Sequence, residues 1–209
     1  VWFHEEVKPR LRGQAFLIRF ADDALMGFEH EEDARRVMAV LPKRFEKFGL
    51  TLHPEKTRLV PFEHPRQGRG RNDPAGQPGS FDLLGFTHFW AKSLKGSWVV
   101  KRKTAKSRFS RAMKAVSQWC RQHRHRPVRE QWQALVTKLR GHYAYYGVTG
   151  NSEAMNRFRQ EVENRWRKWL NRRNNIRSMH WEKFCALLRR HPLSPARAMR
   201  SKLRHAVNP

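Results

Sequence analysis

The sequence predicts an α+β chain: antiparallel strand hairpins and one helix over residues 1–103, then an all-α bundle over 104–209. Three observations predict it. An apolar run, Ala15-Phe16-Leu17-Ile18-Arg19-Phe20, is parted from a second, Ala24-Leu25-Met26-Gly27-Phe28, only by Ala21-Asp22-Asp23. Two short apolar runs around a tight polar turn are the pattern of a β-hairpin, and Asp tolerates turn geometry. From Thr104 onward the apolar spacing changes to three and four residues, the helical period. Charge changes with it. Residues 1–100 hold 16 Lys+Arg against 13 Asp+Glu, net +3, whereas residues 101–209 hold 28 against 5, net +23.

Taken in order, residues 1–14 carry little pattern. After the hairpin, residues 29–48 read as a helix. Glu31, Glu32 and Asp33 load its first turn with the negative charge a helix N-terminus favours. Val37, Leu41, Phe45 and Phe48 recur at helical spacing, Pro42 is expected to break or kink the helix, and Gly49 is its C-cap. Residues 57–62 make a short strand. Residues 63–80, with four Gly, three Pro and three Arg, make a loop. Residues 81–90 resume a strand, and Lys95-Gly96 turns the chain into Ser97-Trp98-Val99-Val100, a second hairpin.

Four helices follow. Phe109, Met113, Val116 and Cys120 stripe the first, and Pro127 interrupts it. Trp132, Leu135, Leu139 and Tyr143 or Tyr146 stripe the second, up to a break at Gly147 and Gly150. Asn151 or Ser152 caps the third, which turns Met155, Phe158, Val162, Trp166 and Leu170 inward. The fourth runs from Trp181 to Arg190, ahead of Pro192 and Pro195. Trp119 and Trp169 fall outside the stripes and suit stacking on bases.

Asp22 and Asp23 are the residues with the most chemistry. Adjacent carboxylates repel unless a cation lies between them, and a hard divalent ion such as Mg²⁺ suits an all-oxygen set. Nucleotidyl transfer uses such pairs, although Asp-Asp between apolar runs also fits a solvated turn. The net charge of +26 points to a polyanion partner, nucleic acid above all. Membrane is not the expected partner. The basic residues are interleaved with eight Trp rather than set beside one lipid-inserting stripe, and no apolar run reaches about twenty residues. Cys120 and Cys185 form no pairing or zinc pattern, and no signal peptide is visible, so the expected setting is a reducing cytoplasm. His123 and His125, flanking Arg124 without Cys or acidic neighbours, suit phosphate contact better than metal.

Several segments, in order, resemble the reverse transcriptase–maturases of bacterial group II introns. Arg19-Phe20-Ala21-Asp22-Asp23 is similar to the family's Tyr-Ala-Asp-Asp box, with Phe in place of Tyr. Gly49-Leu50-Thr51-Leu52-His53-Pro54-Glu55-Lys56-Thr57 resembles the segment after the palm helix, and Leu84-Gly85-Phe86 the primer-grip hairpin. Gly141-His142-Tyr143-Ala144-Tyr145-Tyr146-Gly147-Val148-Thr149-Gly150-Asn151 is similar to the thumb or maturase signature, domain X.

The resemblance implies a partial polymerase palm followed by a helical thumb. It implies that Asp22 and Asp23 hold Mg²⁺, and that Lys56 stands near the departing pyrophosphate, although Lys56 also fits a solvated lysine after a turn. Phe20 would lie beneath the primer terminus, and Gly85 and Phe86 would hold the primer strand. Arg140, His142, Tyr143, Tyr146 and Asn151 would belong to the surface that holds intron RNA, and the tyrosines equally fit interhelical packing. The implied partners are intron RNA, an RNA template, a DNA primer or target, and deoxynucleoside triphosphates, in a bacterial cytoplasm. The family's third palm aspartate has no counterpart among the residues before Asp22, where Glu5 and Glu6 are the only carboxylates. The chain therefore resembles late palm plus thumb, without an endonuclease appendage. Two functions remain open: RNA-directed DNA polymerisation, and RNA binding alone as a splicing cofactor.

Overall fold

The computed structural model describes residues 1–65, 79–173 and 179–196. They fall into two compact units, Val1–Leu84 and Gly85–Pro209.

The first unit opens with short helical turns at Phe3–Val7 and Lys8–Arg10, where the sequence shows no pattern. Strands β1 (Ala15–Phe20) and β2 (Asp23–Phe28) pair antiparallel with Ala15 opposite Phe28 and Phe20 opposite Asp23. Alternation along a strand sends Ala15, Leu17, Met26 and Phe28 to one face. That face is the dry one: Ala15 is buried, and the Phe28 ring meets buried Phe3 edge-on at 6.4 Å. On the opposite face Phe16, Ile18 and Phe20 are each more than half exposed. The Phe16 ring lies across Gly27 so closely that a Cβ there would sit 2.2 Å from it, which is why the facing position is glycine.

Helix α1 (Glu31–Glu46) packs on β2 and buries Ala34, Val37 and Leu41. It runs unbroken through Pro42, contrary to the expected break. Proline removes one hydrogen bond, but it is exposed here, and the buried residues before it hold the helix in place. Gly49 has φ +66, the left-handed geometry of a C-cap, while Phe48 is 66 % exposed rather than packed.

Asp33 carries more than helix-terminal charge. It is 1 % exposed, and its Oδ2 accepts from the amides of Arg12 (2.7 Å) and Gly13 (3.3 Å). The carboxylate thereby pins the chain entering β1 to the start of α1. Residues 57–62 are not a strand: Pro61 has no N–H for a ladder, and the Phe62 ring instead meets Phe81 edge-on at 4.9 Å. Most of the expected loop over 63–80 lies outside the described residues. A three-residue strand, β3 (Phe81–Leu83), closes the unit.

The second unit begins with a hairpin of β4 (Phe86–Lys92) and β5 (Trp98–Thr104), paired from Phe86 opposite Thr104 to Lys92 opposite Trp98. Helices α2 (Lys106–Gln122), α3 (Val128–Tyr146), α4 (Ser152–Asn171) and α5 (Trp181–Arg190) follow. Their stripes converge as expected. Met113, Val116, Cys120, Leu135, Leu139, Met155, Phe158, Val162, Trp166, Leu170 and Phe184 form one core, with Phe109 packed against it. Each fully buried large side chain contributes roughly 1.5–3 kcal/mol. A polar side chain sits among them. Gln131, 1 % exposed, accepts from Trp166 Nε1 at 3.0 Å and donates to the carbonyls of Arg124 and Arg126. It is satisfied at both ends, so its burial carries no unpaired penalty.

Asp33→Ala is expected to destabilise the first unit by about 2 kcal/mol. Hydrogen exchange reads it directly: the Arg12 and Gly13 amides should lose protection, and unchanged protection would refute the pinning role.

Candidate active site and nucleic-acid interface

The hairpin tip is a two-residue turn. Ala21 has φ +52, a left-handed conformation that an L-residue adopts only at a cost. Arg19 Nε donates to the Ala21 carbonyl at 3.0 Å and braces it. Asp22 is the second turn residue, and Asp23 opens β2 directly opposite Phe20. Cross-strand pairing puts Asp23 and Phe20 on one face, and all three residues are exposed. The tip therefore presents two hard carboxylates beside an aromatic ring 64 % open to solvent.

This donor set fits magnesium in kind. Mg²⁺ takes one or two carboxylates and completes its shell with water and substrate phosphate. Among the described residues no group of three or more His, Cys, Asp and Glu side chains converges, so the pair stands without a third protein ligand. Lys56 occupies an exposed turn whose amides, its own and that of Thr57, donate to the His53 carbonyl at 3.2 and 3.0 Å. No ion pair joins it to a carboxylate among the described residues.

In the second unit two motifs far apart in sequence meet. Gly85 has φ +79, and its carbonyl accepts from the Ala105 amide at 2.9 Å. A Cβ at Gly85 would lie 3.0 Å from the Tyr146 hydroxyl, so this position combines left-handed backbone with close approach. Phe86, 8 % exposed, stacks on Tyr145 at 5.9 Å and 14° and meets Tyr146 edge-on at 5.3 Å. Tyr146 leans on His142 at 4.6 Å, and His142 lies flat on Phe158 at 3.7 Å. Gly85 and Phe86 thus meet Tyr145, Tyr146 and His142 in one aromatic cluster.

Within it, interior and surface residues separate. Tyr143 is buried, its hydroxyl donates to the Ser194 carbonyl at 3.2 Å, and burial pushes its pKa up to about 12. Burial likewise raises Tyr146 and lowers His142 to about 4, so His142 is neutral at physiological pH. Asn151 is 1 % exposed. Its Oδ1 accepts from the Thr104 amide at 3.0 Å, and its Nδ2 donates to Thr104 Oγ1 (2.9 Å) and the Tyr146 carbonyl (2.8 Å). It stands at the start of α4, but its side chain ties the end of the hairpin to the end of α3 instead of capping the helix.

His142, Tyr143 and Asn151 are therefore framework. The solvent side of the cluster is Tyr145, 55 % exposed, with Arg108 and Arg111 on α2 close enough to lower the Tyr146 pKa against its burial. Arg140 is exposed on α3. Tyr145, Arg108 and Arg111 were not singled out from the sequence. The sequence signal for them is the i, i+3 spacing of Arg108 and Arg111 on α2 and an aromatic, Tyr145, between two striped positions.

Residues 2–88 match the family model of the reverse transcriptases (RNA-dependent DNA polymerases), a span that holds the Asp22–Asp23 hairpin, α1, Lys56 and Phe86. The match supports a reverse transcriptase in that coarse sense. No curated protein matches the chain.

Asn151→Ala removes three hydrogen bonds and leaves buried groups unpaired, so the second unit should lose about 3 kcal/mol in chemical denaturation. A change under about 1 kcal/mol would contradict the tie. His142 adds a pH dependence. Above its ordinary value of 6.5 both folded and unfolded chains are neutral there. Below it the unfolded chain takes up a proton that the folded chain refuses until about 4, so stability falls as pH drops through that window. Melting temperatures followed from pH 7 to 4 should decline less steeply in His142→Phe than in the parent, and parallel curves would show that His142 does not contribute.

Proposed function

We propose that this chain supplies the metal-binding hairpin and the nucleic-acid grip of a group II intron reverse transcriptase–maturase in a bacterial cytoplasm. The observation that carries the reading is the exposed Asp22–Asp23 tip within the segment that matches reverse transcriptases. The intron assignment is supported by the resemblance over residues 141–151 and by the net +23 of the second half.

Asp22 and Asp23 would hold Mg²⁺, with water and the phosphates of the incoming deoxynucleoside triphosphate completing its shell. When bound, the ion neutralises charge on the phosphates and activates the primer hydroxyl. The chain's own contribution is position. The left-handed Ala21, braced by Arg19, fixes where the carboxylates stand. Phe20 offers the primer terminus an apolar surface on the Asp23 side and, lacking a hydroxyl, can make no hydrogen bond there. Lys56 is assigned the departing pyrophosphate, as a cation able to give up a proton. Gly85 and Phe86, backed by Tyr145 and Tyr146, would support the primer strand, while Arg108, Arg111 and Arg140 offer charge to the RNA backbone.

A second reading is favoured by the net +23 of residues 101–209, which binds RNA without any need of a metal. It makes the protein an RNA-binding splicing cofactor that does not polymerise. Primer extension and RNA gel shift, run side by side on one preparation of the protein, separate the two. Under the polymerase reading Asp22→Ala abolishes magnesium-dependent extension, about a thousandfold or more, and leaves RNA binding intact. Tight RNA binding with no extension from the parent protein would instead establish the cofactor reading. A readout independent of activity is Mn²⁺ electron paramagnetic resonance, in which Asp22→Ala should lose bound Mn²⁺.

A further inference from the structure

The aromatic cluster at Gly85 and Phe86 lies near the start of α2 and the end of α3. The other end of the same helices carries a second feature that the proposed chemistry does not use. Seventeen residues of α2 separate the two, about 25 Å at the α-helical rise. There the C-terminal turns of α2 and α4 flank the connection His123-Arg124-His125-Arg126-Pro127.

This connection is tied down from inside. The carbonyls of Arg124 and Arg126 both accept from buried Gln131 Nε2, at 3.2 and 2.8 Å, and both accept again from the Arg173 guanidinium. Four donor contacts on two carbonyls give a basic loop one conformation, where such a loop would otherwise sample many. Beside it two half-buried indoles act as platforms. Trp169, whose Nε1 donates to Ser117 Oγ, has Arg121, Lys168 and Arg172 over its ring at 6.0, 5.8 and 5.1 Å. Trp119 stacks on His123 at 4.6 Å and 14° and carries Lys138 at 5.4 Å.

A guanidinium resting its face on an indole keeps its N–H edge free to meet oxygen, and the ring limits the rotamers it must give up on binding. None of Arg121, Arg124, Arg126, Lys168 and Arg172 has a carboxylate partner among the described residues. Arg121, Lys168 and Arg172 are therefore held against a ring but not neutralised, beside a loop whose backbone is fixed. That combination suits a repeating polyanion such as a phosphodiester backbone better than a lone phosphate ion.

We propose that this end of the helical unit is a preorganised phosphodiester-backbone site, distinct from the aromatic cluster at the other end, which holds a nucleic acid through its phosphates without reading its sequence. It rests on the reading of the second unit as the nucleic-acid-binding part.

The test is fluorescence anisotropy on the full chain in EDTA, so that neither metal nor polymerisation enters and a failed primer-extension assay leaves the result intact. The probes are a structured RNA hairpin and a DNA duplex of equal phosphate number, titrated across salt. The triple variant Arg121→Gln, Arg126→Gln, Arg172→Gln should bind about tenfold or more weaker at about 0.15 M salt, with the log–log salt slope shallower by about 2 to 3. The corresponding Lys triple should recover the slope. A larger loss on the hairpin than on the duplex assigns the site to RNA, the reverse to DNA, and either supports the proposal. Unchanged affinity and slope in the Gln triple overturn it, as does a Lys triple that fails to recover the slope. Binding to phosphatidylserine vesicles that falls in the Gln triple while nucleic-acid binding holds would also overturn it, in favour of a membrane.

Discussion

Cation repulsion is the constraint under which the second unit is built. Residues 101–209 hold 28 Lys+Arg and only 5 Asp+Glu, all of the latter Glu. Paired charges cannot offset that excess: the ion pairs there, Arg159–Glu163 at 3.0 Å and Arg165–Glu161 at 3.7 Å, both lie along α4. The structure offsets it with ring faces. Arg157 lies over Phe109, Arg167 over Trp181, Lys103 over Phe89, and three cations surround Trp169. Each such contact contributes about 0.5–1 kcal/mol at an exposed site and leaves the positive charge available to a partner. Salt bridges would have cancelled it. A helical bundle this rich in cations keeps its charge when they rest on rings and would lose it to glutamate.

The same logic explains why the buried seam is so apolar. Self-repulsion must be outweighed by burial, and the buried glutamine of the core both fixes a basic loop and joins α3 to α4 through Trp166. At the other end Asn151 has the parallel task of tying the last residue of β5 to the end of α3. Two buried amides thus fix the two ends of the bundle. Their neighbours, Tyr145 and the cations over Trp169, are exposed.

What the sequence made legible was periodic. The hairpin around Asp22 and Asp23, the stripes of α2 to α4 and the bounds of α5 follow from spacing alone, because apolar side chains at fixed intervals have one economical way to be buried. What it hid was polar and tertiary. Asp33 reads as a helix-start charge, yet it is a buried acceptor for a segment twenty residues upstream, and nothing local distinguishes the two. Asn151 occupies a capping position and caps nothing, since Thr104 offers it better partners. His142 and Tyr143 fall in a motif that suggests RNA contact, whereas their rings fill the interior beside Phe158 and Ser194. Pro42 shows the converse case, in which buried Val37 and Leu41 override a local rule. Residues 57–62 look like a strand but are not one in the structure, because strands are made by neighbours and not by composition.

The two thiols differ in a way that has practical value. Cys120 is fully enclosed, and burial pushes its pKa up to about 12 even with Lys138 nearby to favour the thiolate. Cys185, on α5, is only partly covered. A maleimide dye at neutral pH will therefore discriminate between them without any engineering, which places a spectroscopic reporter on α5.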